Sequence, residues 1–376
     1  MERAGIYLSV PFCRQKCTYC NFASDVHPSS QLPRYLRTLQ TEVARRSELW
    51  EQAGLPWLES VSADSIYLGG GTPGLLTGEP LSRLLEAVGS AFRLAPEPEV
   101  TLEASPENVT AEQAAAWVSC GINRVSLGVQ SMVTGELRAV ARMHDASIVG
   151  NAFAVLRDTG ISNISVDLIA GLPHQTEESW QASLQGVLNL EPTHLSVYML
   201  EVDEESRLGG ELLRGGTRYA AGAAPTEEQV VAFYALAVER LRGAGYHHYE
   251  ISNFALPGKE SRHNEKYWTN VPYFGFGVDA HSYDGKRRWA NVDTLTDYLQ
   301  LLEQGRSPIK EAKNSEPSEQ MEERFFLGLR RLQGISLTAL AAEFGEPARQ
   351  RCEERVGPFR DAGWVETDGD QLRLTD

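Results

Sequence analysis

From residue 5 to about 205 the chain alternates short β-rich apolar runs with longer stretches of helical period, the pattern of βα units laid around a parallel sheet. Six runs read as strands: Ile6–Val10, Ser65–Leu68, Glu99–Glu103, Arg124–Gly128, Ile164–Ile169 and His194–Met199. Each is nearly continuously apolar, as strands buried on both faces should be. Helical periodicity fills the intervals at Leu32–Trp50, Pro80–Phe92, Ala111–Ser119, Asp145–Asp158 and Glu177–Leu190, several preceded by Ser, Thr or Asp as caps. Six such repeats predict an incomplete α/β barrel rather than a closed eight-stranded one.

After this region the pattern changes. Residues 203–226, rich in Gly, Glu and Arg, read as a connecting excursion; a helix over Glu227–Gly243 and a strand over Tyr246–Phe254 follow. Residues 255–290 are too dense in aromatic, Gly and His residues for a simple connection, which suggests a binding segment. Beyond the polar stretch Glu311–Glu319, short helices lead into a hairpin over Trp364–Leu374, and the whole reads as a small winged-helix-like module. A chain of 376 residues accommodates two or three such units.

Composition narrows the function classes. A formal net charge of -16 repels phosphate backbones and argues against nucleic acid as the main partner. No apolar run is long enough to cross a membrane, and the N-terminus enters a strand without a signal-peptide pattern, so a cytoplasmic protein is expected. Three of the five cysteines lie within eight positions, which suits metal or catalytic use rather than a disulfide framework. Cys120 and Cys352 stand alone and read as small buried hydrophobes.

Cys13, Cys17 and Cys20 form a Cys-x3-Cys-x2-Cys loop directly after the first strand. Three thiolates can hold a [4Fe-4S] cluster and leave one iron for an exchangeable ligand; a zinc site with His27 as fourth ligand, or three unrelated thiols, are the alternatives. The second strand ends in Gly69-Gly70-Gly71-Thr72-Pro73, either a turn or a place where backbone closely approaches a ligand. Later strands end in Glu103, Gln130 and Asp167, polar groups that need partners, and Arg142 could balance a carboxylate.

The stretch from Ile6 through Cys13 to Phe22, with these strand ends, resembles the radical S-adenosylmethionine (SAM) proteins of the coproporphyrinogen-dehydrogenase-like superfamily. The resemblance implies an incomplete (β/α)6 radical SAM barrel, a [4Fe-4S] cluster on Cys13, Cys17 and Cys20, and SAM contacted by Tyr7, Tyr19, Gly70, Gly71, Thr72, Glu103, Gln130, Arg142 and Asp167. In that superfamily an electron passed to SAM yields a 5′-deoxyadenosyl radical.

Two branches of the superfamily share these features. The dehydrogenases resemble this chain but carry a further cysteine where Phe22 stands, and a long extension before the cluster loop, where only twelve residues precede Cys13. The segment His263-Asn264-Glu265-Lys266-Tyr267-Trp268 instead matches the His-Asn-x-x-Tyr-Trp motif of the HemW-type haem chaperones. That resemblance implies a core barrel over 1–245, a haem-binding segment over 246–310 and a C-terminal winged-helix-like domain over 320–376. It further implies haem contacts by His263, Tyr267 and Trp268, with His281 as a rival iron ligand, and delivery of haem to a haem-requiring acceptor, for example a respiratory, membrane-associated protein. Oxygen-independent coproporphyrinogen-III dehydrogenation, or another SAM-dependent radical or methyl transfer, are the alternatives. Relatives often continue into a final helix beyond the hairpin, after which this chain stops at Asp376.

Overall fold

The computed structural model describes residues 2–55 and 61–375. Six parallel strands form the centre of a twelve-stranded sheet: β1 (Glu2–Val10), β2 (Val61–Gly70), β3 (Arg93–Ala104), β4 (Arg124–Gln130), β5 (Asn163–Ala170) and β6 (His194–Met199), adjacent in sequence order. The helices between them are α1 (Leu32–Ala44), α2 (Arg46–Gln52), α3 (Gly78–Ala91), α4 (Ala111–Ser119), α5 (Thr134–Ala139), α6 (Ala146–Asp158) and α7 (Glu177–Leu188). Strands β1 and β6 do not pair with each other, so the barrel is incomplete, as the six repeats predict.

Strand alternation divides the two faces. Ile6, Leu8, Ile66, Leu68, Val125, Leu127, Val166 and Leu195 are buried together with apolar positions of the surrounding helices in one continuous core. The opposite positions are polar rather than apolar: Ser65, Thr101, Ser126, Ser165 and His194 are buried there, several bonded in pairs such as Ser165 with His194 at 2.8 Å. Burial on both faces is therefore as expected, but the barrel interior is lined for a ligand rather than filled with aliphatic layers.

The expected helix over Leu32–Trp50 is broken at Arg45, where ψ is 14°. Arg46 turns its guanidinium onto the carbonyl of Val43 at 3.2 Å and over the Phe92 ring at 4.8 Å, which satisfies the end of α1. The expected excursion at 203–226 folds into α8 (Arg207–Leu213) and a 3-10 segment. After α9 (Glu227–Gly243), the strand expected over Tyr246–Phe254 is a hairpin of β7 (His247–Glu250) and β8 (Asn253–Ala255), with β8 antiparallel to β6.

The chain then crosses from the β6 flank to the β1 flank. Helix α10 (Arg262–Trp268) lies on this crossing, and β9 (Tyr273–Phe276) pairs parallel with β1. Strands β10 (His281–Tyr283), β11 (Arg287–Asn291) and, after α11 (Leu295–Glu303), β12 (Ile309–Asn314) extend that flank. Residues 246–310 thus add strands at both edges of the barrel sheet. The C-terminal module comprises α12 (Pro317–Gly328), β13 (Ile335–Ser336), α13 (Leu337–Phe344), α14 (Glu346–Asp361), β14 (Val365–Asp368) and β15 (Gln371–Leu374), with Leu337, Leu340, Cys352, Val365 and Leu372 as its core. It is tied to the barrel by the bidentate pair Arg288–Glu323 at 2.6 and 2.9 Å and by Arg331–Glu265 at 3.3 Å. Among the described residues no helix is long and apolar enough to cross a membrane.

Candidate functional site

The carboxyl ends of β1 to β6 surround a cavity of about 390 Å³, the edge at which parallel sheets bind ligands. Cys13, Cys17 and Cys20 line one side of it from the loop after β1. That loop is held from several directions: Cys13 N–H donates to Asp25 O at 3.0 Å, Thr18 N–H to Val140 O at 3.3 Å, and Asn21 Nδ2 to Asp203 Oδ2 at 2.7 Å. Leu208 N–H also reaches Thr18 O at 2.7 Å, and Arg207 bonds to the carbonyl of Lys16. Residues 203–226 therefore do more than connect; they clamp the cysteine loop. His27 packs edge-on against Phe12, with 5.3 Å between ring centroids, and does not line the cavity.

On the strand side, Gly70, Gly71 and Thr72 line the same cavity. Gly70 has φ 99°, and a Cβ on Gly71 would sit 2.6 Å from Val10 O and 2.8 Å from Phe12 N, so a side chain is excluded there. Glu103 accepts a hydrogen bond from Tyr67 at 2.9 Å; burial, reinforced by the neighbouring Asp167, pushes its carboxyl up to about 7. Burial likewise raises Asp167, against hydrogen bonds from Ser196 and Ser126 that favour its charge. Gln130 takes a left-handed backbone at φ 61°, after a bulge in β4, and its Oε1 is buried without a partner.

Arg142 follows Ala141, another left-handed residue at φ 62°. Its guanidinium donates to Gly128 O at 2.5 Å and to Cys17 Sγ at 3.5 Å. Burial opposes its charge, but Tyr19, Cys17 and Glu107 more than offset this and hold the proton more tightly than usual. The carboxyls of Glu103 and Asp167, the Arg142 guanidinium and unpartnered acceptors on Gln130 and Asn108 suit a ligand carrying an ammonium, a carboxylate and hydroxyl groups together, as SAM does. The three thiols beside them suit a cluster that such an amino-acid end could reach.

Of the expected SAM positions, Tyr19, Gly70, Gly71, Thr72, Glu103, Gln130, Arg142 and Asp167 line this cavity, while Tyr7 lines a second one beside it. Sequence reasoning missed Ser105, Glu107, Asn108, Met143 and Tyr198, which also line the first cavity. The polar run Ser105–Asn108 directly after β3 was the available signal; Met143 and Tyr198 carried none.

The three expected haem residues do not converge. His263 is 1% exposed, with Nδ1 facing Ser65 Oγ at 3.1 Å and Nε2 facing Tyr267 Oη at 3.0 Å. Burial, with Lys266 and Arg124 nearby, pulls its pKa down to about 3, so the ring is neutral. It occupies the space a Cβ on Gly5 would need, 2.9 Å away. Tyr267 faces the second cavity, and Trp268 lies instead under Arg330 at 4.3 Å, near the C-terminal module. His281 lines the second cavity.

Comparison with known proteins places this geometry. The family model of the radical SAM superfamily matches residues 7–185, and that of the HemN C-terminal domain matches residues 316–376. The protein named heme chaperone HemW of Bacillus subtilis is 34% identical over 340 residues, covering 90% of this chain and 86% of its own length. Its namesake in Mycobacterium tuberculosis is 32% identical over 376 residues, covering 99% and 90%. Among solved structures, coproporphyrinogen III oxidase (HemN) from Escherichia coli superposes with a TM-score of 0.83 over 100% of this chain and 87% of its own, at 22% identity, a likeness of fold. The radical SAM match implies a [4Fe-4S] cluster and SAM, for which the cavity offers suitable groups. With identities above 30% across nearly the full length of both chains, this protein belongs to the HemW family of radical SAM proteins.

Proposed function

We propose that this protein is a haem chaperone, which binds haem and passes it to a haem-requiring acceptor protein in the cytoplasm or at a membrane surface. The observation that carries the reading is the identity of 30 to 34% with proteins named heme chaperone HemW, over most of the chain. In this reading Cys13, Cys17 and Cys20 hold the cluster, and the 390 Å³ cavity takes SAM. When bound, the cluster supplies the electron that cleaves SAM. The chain's own part is positional. Gly70 and Gly71 let backbone approach the ligand, Glu103 and Asp167 face its cationic end, and Arg142 faces its carboxylate. Tyr267, bonded to His263 at 3.0 Å, lines the neighbouring cavity and presents an aromatic ring to the haem.

Coproporphyrinogen oxidation is the second reading, favoured by the HemN-like fold alone. Phe22, standing where the dehydrogenases carry cysteine, weighs against it. The deciding experiment loads anaerobically reconstituted full-length protein with haem, removes free haem by desalting, and adds apomyoglobin. Growth of the holomyoglobin spectrum at the donor's expense is expected. A protein that retains no haem through desalting, or never releases it, is not a chaperone.

A further inference from the structure

The second cavity, about 320 Å³, opens at the same edge of the barrel and shares Phe22 and Gly70 with the first. Its walls include the rings of Tyr7, Tyr267 and Tyr273, the last two packed edge to face with centroids 4.5 Å apart. Phe22, 65% exposed, forms part of its lip. Aromatic walls with one open side suit a flat, largely apolar ligand.

Of the chain's eight histidines, His281 is the one that lines either cavity. The others are otherwise engaged or elsewhere. Both ring nitrogens of His263 are bonded, as are those of His194, to Ser165 and Tyr249 at 2.8 Å each. His144 is buried between Val129 O at 2.9 Å and Glu107 at 3.4 Å, and His248 is buried against the Phe254 ring. The His281 side chain is 64% exposed, and its nearest charged neighbour, Asp279, is 3.9 Å away, too far for a hydrogen bond.

The turn that carries His281 is firmly placed. Asp279 has φ 55° and donates its N–H to Val292 O at 2.9 Å, while Gly277 donates to Glu42 at 2.8 Å. A Cβ on Gly275 would lie 2.4 Å from His281 O, so the turn and β9 are in close contact. A preset, accessible imidazole at the mouth of an aromatic cleft is the geometry of an axial ligand to a metalloporphyrin.

We propose that haem docks in this cleft with the His281 imidazole on its iron, and that His263 is a positioning residue that orients Tyr267 without touching haem. The inference rests on the haem-binding reading above and places the cargo beside Phe22, next to the cluster cavity. The test is a haem titration of anaerobically reconstituted full-length wild type, His281→Ala, His281→Met and His263→Ala, with cluster absorbance followed in each as a check of folding. His281→Ala is expected to shift the Soret band and weaken haem binding at least ten-fold, free imidazole restoring the wild-type spectrum. His281→Met should bind with a different, thioether-type spectrum, and His263→Ala should keep the wild-type ligand spectrum at reduced affinity. A wild-type spectrum and affinity in both His281 variants overturns the assignment while leaving haem binding intact. A wild type that binds no haem overturns the functional reading instead.

Discussion

A Cβ on Gly71 would meet backbone atoms of Val10 and Phe12, which have no flexible end to move aside. Gly71→Ala is therefore expected to weaken SAM binding about ten-fold or more, a cost of about 1.4 kcal/mol, with the cluster still loaded; equilibrium dialysis against labelled SAM checks it, and wild-type affinity would remove Gly71 from the site. The cysteines give a second prediction. Cys13→Ala, Cys17→Ala and Cys20→Ala should each fail to hold a stable [4Fe-4S] cluster on reconstitution, whereas Cys120→Ala and Cys352→Ala should not, since Cys120 Sγ bonds to Gly78 O and Cys352 sits in the C-terminal core. Iron and sulfide content per chain decides between them. The placement of Gly71, Cys13, Cys17 and Cys20 along one cavity was legible in the sequence because spacing and glycine mark them locally. His263 was less so. The sequence shows an imidazole beside two aromatic rings, but only the fold shows that Ser65 and Tyr267 already occupy both its nitrogens.

At the scale of elements, strands and helices whose apolar face is continuous were read nearly to the residue: α4, α9 and β6 have their expected bounds. The misreadings have local causes. Strand β12 looked like the start of a polar linker because every residue after Ile309 is exposed on a sheet edge, and the turn at Ile251-Ser252 between β7 and β8 carries no Gly or Pro. The junction of α1, β9, β11 and α11 was invisible, since its centre is a lone glutamate in a helix. Glu42 is buried and accepts hydrogen bonds from Tyr298 at 2.6 Å, Asn291 at 2.7 Å and Gly277 N–H at 2.8 Å. Burial pushes its carboxyl up to about 7, despite those bonds. The folded state then retains a proton that the unfolded chain releases near 4.5. Stability from this group is full below that pH and is lost as pH rises through about 7. Glu42→Gln cannot titrate, so its stability deficit relative to wild type should shrink from pH 5 to pH 8, by roughly 2–3 kcal/mol. Paired denaturant titrations at the two pH values test this, and a deficit that grows would contradict it.

For the molecule as a whole, alternation along the strands hid the most informative feature. Runs such as Arg124–Gly128 look apolar, yet the minority polar positions all fall on one face and become the barrel interior once the strands lie in register. The incomplete barrel and C-terminal module were legible from periodicity; the crossing of residues 255–273 between the two flanks was not, because it depends on which strands β8 and β9 join. If the barrel serves a chaperone, coproporphyrinogen III with SAM and reductant should give no protoporphyrinogen beyond one turnover per chain, as read by chromatography. The most direct measurement is the haem-to-protein ratio that survives desalting of the anaerobically reconstituted protein. A near-stoichiometric ratio with the cluster intact is expected, and haem eluting wholly in the salt fraction would rule out haem carriage by this protein.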